Sequence, residues 1–234
     1  EIMPSLVGSE MCIRDRYGTC PYKSPTDMGV NMAGNCIFDN DAVSQASLQE
    51  IVRRYYNAVK NAAKGAGNKE EIYKLELLMN QAGISAESRP CAAAAHELAA
   101  ETDQPAAAAE LKDGTIVTGK TSALLGCASA TLLNALKHLA GINDDVLLIG
   151  PDVIKPIQEL KIDHLGNKNP RLHTDEVLIA LAISATADEN AAKAMHKLCE
   201  LKNCEMHSSV LLAQVDENVL KKLGVRLTSE PAKK

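Results

Sequence analysis

Every aromatic side chain of this chain lies in its first third. Tyr17, Tyr22, Phe38, Tyr55, Tyr56 and Tyr73 are the only six, Trp is absent, and the last 161 residues have none. A C-terminal core must therefore be built from Ala, Leu, Ile, Val and Met, and Ala occurs 33 times. The chain has 234 residues, 46% of them hydrophobic and 24% charged. That is an ordinary globular composition, long enough to bury about 70% of its unfolded surface without disulfide or metal staples.

The same numbers narrow the partners. A binder of single-stranded nucleic acid needs aromatic platforms and a basic groove. Here the net charge is −5, with no run of Lys or Arg longer than two, so nucleic acid is not an expected partner. No apolar run approaches the roughly 18 residues of a membrane span, and Glu1 to Leu6 is not a basic leader followed by an apolar stretch. The expectation is no membrane partner and a cytoplasmic setting. Seven Cys at irregular spacing, with no Cys-x-x-Cys, read as reduced thiols.

The chain divides into four stretches. Residues 1–16 have no period and no turn chemistry, and SLVGSEMCIRDR resembles a translated sequencing-adapter read; this stretch is expected to be foreign, with the true protein continuing upstream. Residues 17–40 are rich in Gly, Pro, Asn and Asp and read as a polar loop. Residues 41–103 predict three helices. The first spans about 41–64, with candidate caps Asp39, Asn40 and Asp41; the second spans 69–82, closed by Gly83; the third follows Pro90.

From about 104 to 230 the pattern alternates between strands and helices, which argues an α/β layer unit. Lys112-Asp113-Gly114 between two short runs is a strong hairpin signal. A helix is expected over 129–140, a strand over 146–149, and helices over 152–160, after a capping Thr174, and over 188–201. A strand over 208–213, a helix over 216–223 and a strand over 225–228 complete the prediction.

Several polar groups are candidates for chemistry. Gly114 to Thr121 matches the phosphate-loop pattern G-x-x-x-x-G-K-[ST], but that loop needs a strand before its first Gly and a turn between the two. Here Thr115 to Thr118 is itself the strand-forming stretch, so the match is rejected. Lys120, Thr121 and Ser122 still follow a strand and precede a helix, where amides, an ammonium and hydroxyls can hold an anion. Asp163 to Glu176 is the densest polar cluster, offering His164, Asn169, Arg171 and His173 for acid–base or phosphate work. His207, with Ser208, opens the predicted strand at 208–213, and Thr26, Asp27 and Asn31 lie in the early loop. Zinc spacing is absent: Cys199 and Cys204 have no second pair, and His96-Glu97 does not continue to a second His. No metal site is expected, and His96, His138 and His196 read as structural or exposed.

One family carries these motifs in this order. TDMGVNM (26–32), IVRRYY (51–56), KLELLMN (74–80), VTGKTS (117–122), KPIQ (155–158), HLGNKNPRLH (164–173) and HSS (207–209) resemble the bacterial uncharacterised protein family 0371, domain of unknown function 1846. The resemblance runs from about Tyr17 to the C-terminus and implies a C-terminal fragment of a protein roughly twice this long. It implies a fold class of α/β, with a small helical subdomain followed by a three-layer α/β subdomain of cytidine-deaminase-like topology. It implies no deaminase activity, because His-x-Glu and Pro-Cys-x-x-Cys are missing.

The leading expectation is a site for a phosphorylated small molecule in an enzyme. Thr26, Asp27, Asn31, Lys120, Thr121, Ser122, Asn169, Arg171 and Ser208 would bind, and His164, His173 or His207 would transfer protons. No cofactor is indicated. The alternative is a non-catalytic module for homo-oligomerisation or partner binding. Convergence of these loops on one pocket separates the two readings.

Overall fold

The computed structural model describes residues 39–232. Among these are eight α-helices and one four-stranded sheet. Helix α1 (Asn40–Ala63) is capped by Asp39, whose Oδ1 accepts from the Ala42 amide. Helix α2 (Lys69–Ala82) is capped by Asn68 and stopped by left-handed Gly83 (φ +69°). Helix α3 (Pro90–Thr102) starts on its proline. These positions follow from side-chain capping and from proline's fitness for a first helical residue.

Strands β1 (Ala106–Glu110) and β2 (Ile116–Lys120) form the expected hairpin, with Gly114 at φ +83°. Then come α4 (Cys127–Ala140), α5 (Pro151–Glu159), α6 (Thr174–Ser184) and α7 (Glu189–His196). Strand β3 (Glu205–Ser208), α8 (Gln214–Lys222) and β4 (Arg226–Ser229) close the order. The sheet runs β2-β1-β3-β4; β1 is antiparallel to β2 and β3, and β3 is parallel to β4.

Helices cover both faces, and β1 shows why Ala suits this sheet. Ala106 to Ala109 are all buried. The pleat sends alternate residues to opposite sides. Ala107 and Ala109 join the large apolar core with Leu132, Leu136, Leu181 and Met206, on the α4 side. Ala108 packs with Cys91 and Ala95 of α3 on the other. Small side chains on both faces let a helix approach each closely. Gly119 on β2 carries this furthest, since a Cβ there would lie 2.4 Å from the Thr131 backbone nitrogen of α4. That close approach, rather than a phosphate loop, is what Gly119 provides.

Four expectations are corrected. Val146 to Ile149 is not a strand but a loop: Leu147 is exposed while Leu148 and Ile149 both join the core. A short apolar run cannot tell a buried strand from buried coil by periodicity. The strand expected over 208–213 lies upstream, at Glu205–Ser208, because Glu205 is held by arginines despite its charge. Ser208 ends it by donating to the Val210 carbonyl. The helix expected over 188–201 breaks into α7 and a 3-10 turn at Leu198–Leu201. Thr174 is the first residue of α6; His173 holds the capping position.

Candidate functional site

The α4 face of the sheet carries a cavity of about 320 Å³, lined by Thr121, Gly126 to Ser129, Asn169, Arg171, His173 and Asp216, with Pro105 and Val210 to Ala213 completing the wall. Its floor is the start of α4. Gly126 is extended and supplies no side-chain cap. The first intrahelical bond is Ala130 N–H to Gly126 O, so the amides of Cys127, Ala128 and Ser129 have no carbonyl in the preceding turn. They add the positive end of the helix dipole to the cavity.

The 165–173 loop forms the opposite wall, and a set of hydrogen bonds fixes it. The Lys161 ammonium is buried and donates to the Arg171 carbonyl (2.6 Å) and to Glu176 Oε2 (2.7 Å). Gln158 Nε2 donates to the Pro170 and Ala123 carbonyls. The Leu172 amide donates to the Leu124 carbonyl, and Ser129 Oγ donates to the Leu172 carbonyl. Arg171 Nε donates to the Ser122 carbonyl at 2.7 Å. That aligns the guanidinium while its two terminal amino groups carry its remaining donors.

His173 faces Asp216 across two helix starts. Its Nδ1 lies 3.0 Å from Asp216 Oδ2. Asp216 Oδ1 accepts from the Thr174 amide (2.8 Å) and the Thr174 hydroxyl (3.0 Å). A carboxylate held this way keeps the proton of a neutral imidazole on Nδ1 and leaves the electron pair on Nε2. Cys127 sits beside the dyad, with Sγ 3.6 Å from Ser208 Oγ. Burial pushes its thiol upward, outweighing the Ser208, Thr121 and Ala128 hydrogen bonds that pull it down. At neutral pH it is a thiol, not a thiolate nucleophile.

The cavity thus gathers Thr121, Asn169, Arg171 and His173. Ser122 lies just outside, its carbonyl holding Arg171 and its Oγ accepting from the Leu124 and Leu125 amides. Ser208 stands behind Cys127. Lys120 is exposed at the end of β2, and His164 is exposed in the wide turn after α5; neither lines the cavity. His207 and Ser208 are neighbours in sequence, yet the pleat parts them: His207 pairs with Ala108 and faces α3. Thr26, Asp27 and Asn31 fall outside the described residues. Cys127 and Asp216 went unrecognised as site residues. Asp216 is 43 residues from His173, and nothing local in the sequence marks it.

Family comparison decides the affiliation. Residues 87–234 match the model described as domain of unknown function DUF1846, C-terminal, and residues 3–83 match its N-terminal counterpart. The chain belongs to the DUF1846 family. Among its relatives, a UPF0371 protein of Corynebacterium aurimucosum is 52% identical over 214 residues, covering 92% of this chain and 43% of the relative. One from Corynebacterium urealyticum is 49% identical over 231 residues (99% and 46%). One from Streptococcus thermophilus is 52% identical over 214 residues (92% and 43%). The chain therefore spans less than half the length of these relatives. Among the described residues no helix is long and apolar enough to cross a membrane.

Proposed function

We propose that this part of the DUF1846 protein supplies a binding site for a phosphorylated small molecule, a sugar phosphate or nucleotide, in a cytoplasmic enzyme completed by the rest of the longer protein. One observation carries the reading: a single cavity is lined by the first residues of α4, by Arg171 and by the Asp216–His173 pair. A phosphate dianion matches the first two. Helix-start amides and a guanidinium fork are the commonest partners of phosphate oxygens. Thr121 and Asn169 add neutral hydrogen-bonding groups that can orient the rest of the ligand.

The third element suits proton transfer. With Nδ1–H held by Asp216, His173 Nε2 can accept a proton from a ligand hydroxyl, and Asp216 steadies the imidazolium that forms. His173 is thus favoured over His164 and His207 as the acid–base residue. Cytidine-deaminase-like topology is part of this proposal at the level of fold alone, and it brings no zinc-deaminase chemistry.

A thermal-shift panel of nucleotides and sugar phosphates, each beside its unphosphorylated counterpart, tests the reading on the full-length protein. Stabilisation by phosphorylated members only is the expected result, and saturation at 100 times Kd corresponds to about 2.7 kcal/mol. Equal responses from both sets, or none from either, would overturn it.

A further inference from the structure

The opposite face of the sheet carries a second cavity, of about 470 Å³, that the phosphate reading does not use. His96 and Glu230 line it, with Asp103, Gln104 and Ser209. Behind His96, the ring of His207 stands edge-on at a centroid distance of 5.4 Å and is fully buried. One donor atom from each of His96, His207 and Glu230 lies within 4.8 Å of the others. We propose that these three side chains form a binding site for a divalent ion of the zinc class, with its fourth position open to this cavity.

The donor set fits such an ion. Two imidazoles and a carboxylate with one position left open is an arrangement that zinc takes in catalytic sites, and imidazole nitrogen favours zinc, iron and copper over calcium or magnesium. The surroundings fix a ligating tautomer. The Thr228 hydroxyl donates to the Met206 carbonyl, so its oxygen accepts from His207 Nδ1 at 2.9 Å. That places the hydrogen on Nδ1 and the lone pair on Nε2, the outer-shell support typical of metal-ligating histidines. Tyr56 packs against the same ring, with centroids 4.4 Å apart and planes tilted by 51°.

His96 Nε2 and Glu230 Oε1 are 2.5 Å apart, within hydrogen-bonding distance. Tetrahedral zinc holds its donors about 3.3 Å apart. With an ion between them the pair must spread by about an ångström. Glu230 follows the last residue of β4 and His96 is only partly buried, so both can shift without repacking the core.

The test is a Co2+ titration of the full-length protein stripped with EDTA, followed by visible absorption. The expected result is one saturable equivalent with a tetrahedral cobalt spectrum, displaced by Zn2+. Affinity should fall about tenfold or more in His96→Ala and in Glu230→Gln. Both residues are partly exposed, so these variants are expected to fold, which circular dichroism checks. Arg171→Ala, in the other cavity, should bind Co2+ as the parent does. No saturable uptake, or uptake that both ligand variants retain (as at exposed Cys199), would overturn the proposal.

Discussion

The two faces of the sheet are held in different ways. On the α4 side one continuous apolar core reaches from Ala107 and Leu136 through Leu181 to Leu220, without an aromatic ring. On the α1–α3 side there are three small clusters, around Ile51, Tyr56 and Ala95. Charge joins them to the sheet. Arg89 is fully buried and donates to Glu205 Oε2 (2.6 Å) and to the Met206 and Arg226 carbonyls. Arg53 donates to Glu205 Oε1 (2.7 Å). A core of small aliphatic residues can be extended wherever two backbones approach closely. A helical layer with few such contacts must be fixed by directional bonds. The difference also sorts the two cavities: helix-start amides and a cation on the apolar side, imidazoles and a carboxylate on the ionic side.

The largest effect should come from the ionic side. Arg89→Met leaves Glu205 and two carbonyls short of a donor, and breaking a buried pair costs about 3–5 kcal/mol. Chemical denaturation measures it; a loss below about 1 kcal/mol, the scale of a surface pair, would mean that this face does not depend on charge. Next is the seam on the apolar side. Gly119→Val drives side-chain atoms into the α4 backbone at Thr131, and overpacking of this kind costs about 1–3 kcal/mol. A neutral result in the same assay would show that α4 can move away from β2.

The smallest effect concerns pH. Glu110 lies directly opposite Glu205 in the β1–β3 register. Burial, then the Glu205 charge, raises its pKa above the ordinary carboxylate range, with Arg89 opposing. A carboxyl with a raised folded pKa weakens the fold once ionised, and that cost disappears as pH falls below its folded pKa. Glu110→Gln should therefore stabilise at neutral pH by a few tenths of a kcal/mol, as for one like-charged cross-strand pair. The gain should vanish near pH 4. An equal gain at both pH values would assign it to something other than charge.

Local chemistry was legible in the sequence and distant pairing was not. Asp39 and Gly83 marked helix ends because capping is a short-range bond, and Asp113-Gly114 marked the hairpin for the same reason; the Asn68 cap of α2 emerged only in the structure. The cluster before α6 was visible as polar density, and Asn169, Arg171 and His173 do meet Thr121. Asp216 was not visible, because its role depends on how α8 meets α6. The His96–Glu230 contact spans 134 residues, which no rule of ligand spacing can register. His207 and Ser208 looked like one group; only the pairing of β3 with β1 shows that a pleat sends them to different faces.

The central question is whether the α4 start and Arg171 together hold a phosphate-like anion. Crystals of the full-length protein soaked in tungstate, a phosphate mimic visible by its anomalous scattering, test this most directly. The predicted result is an anomalous peak within hydrogen-bonding distance of the Arg171 guanidinium and the Cys127–Ser129 amides, lost in crystals of Arg171→Ala. A cavity without a peak, or a peak that survives the loss of Arg171, would contradict it.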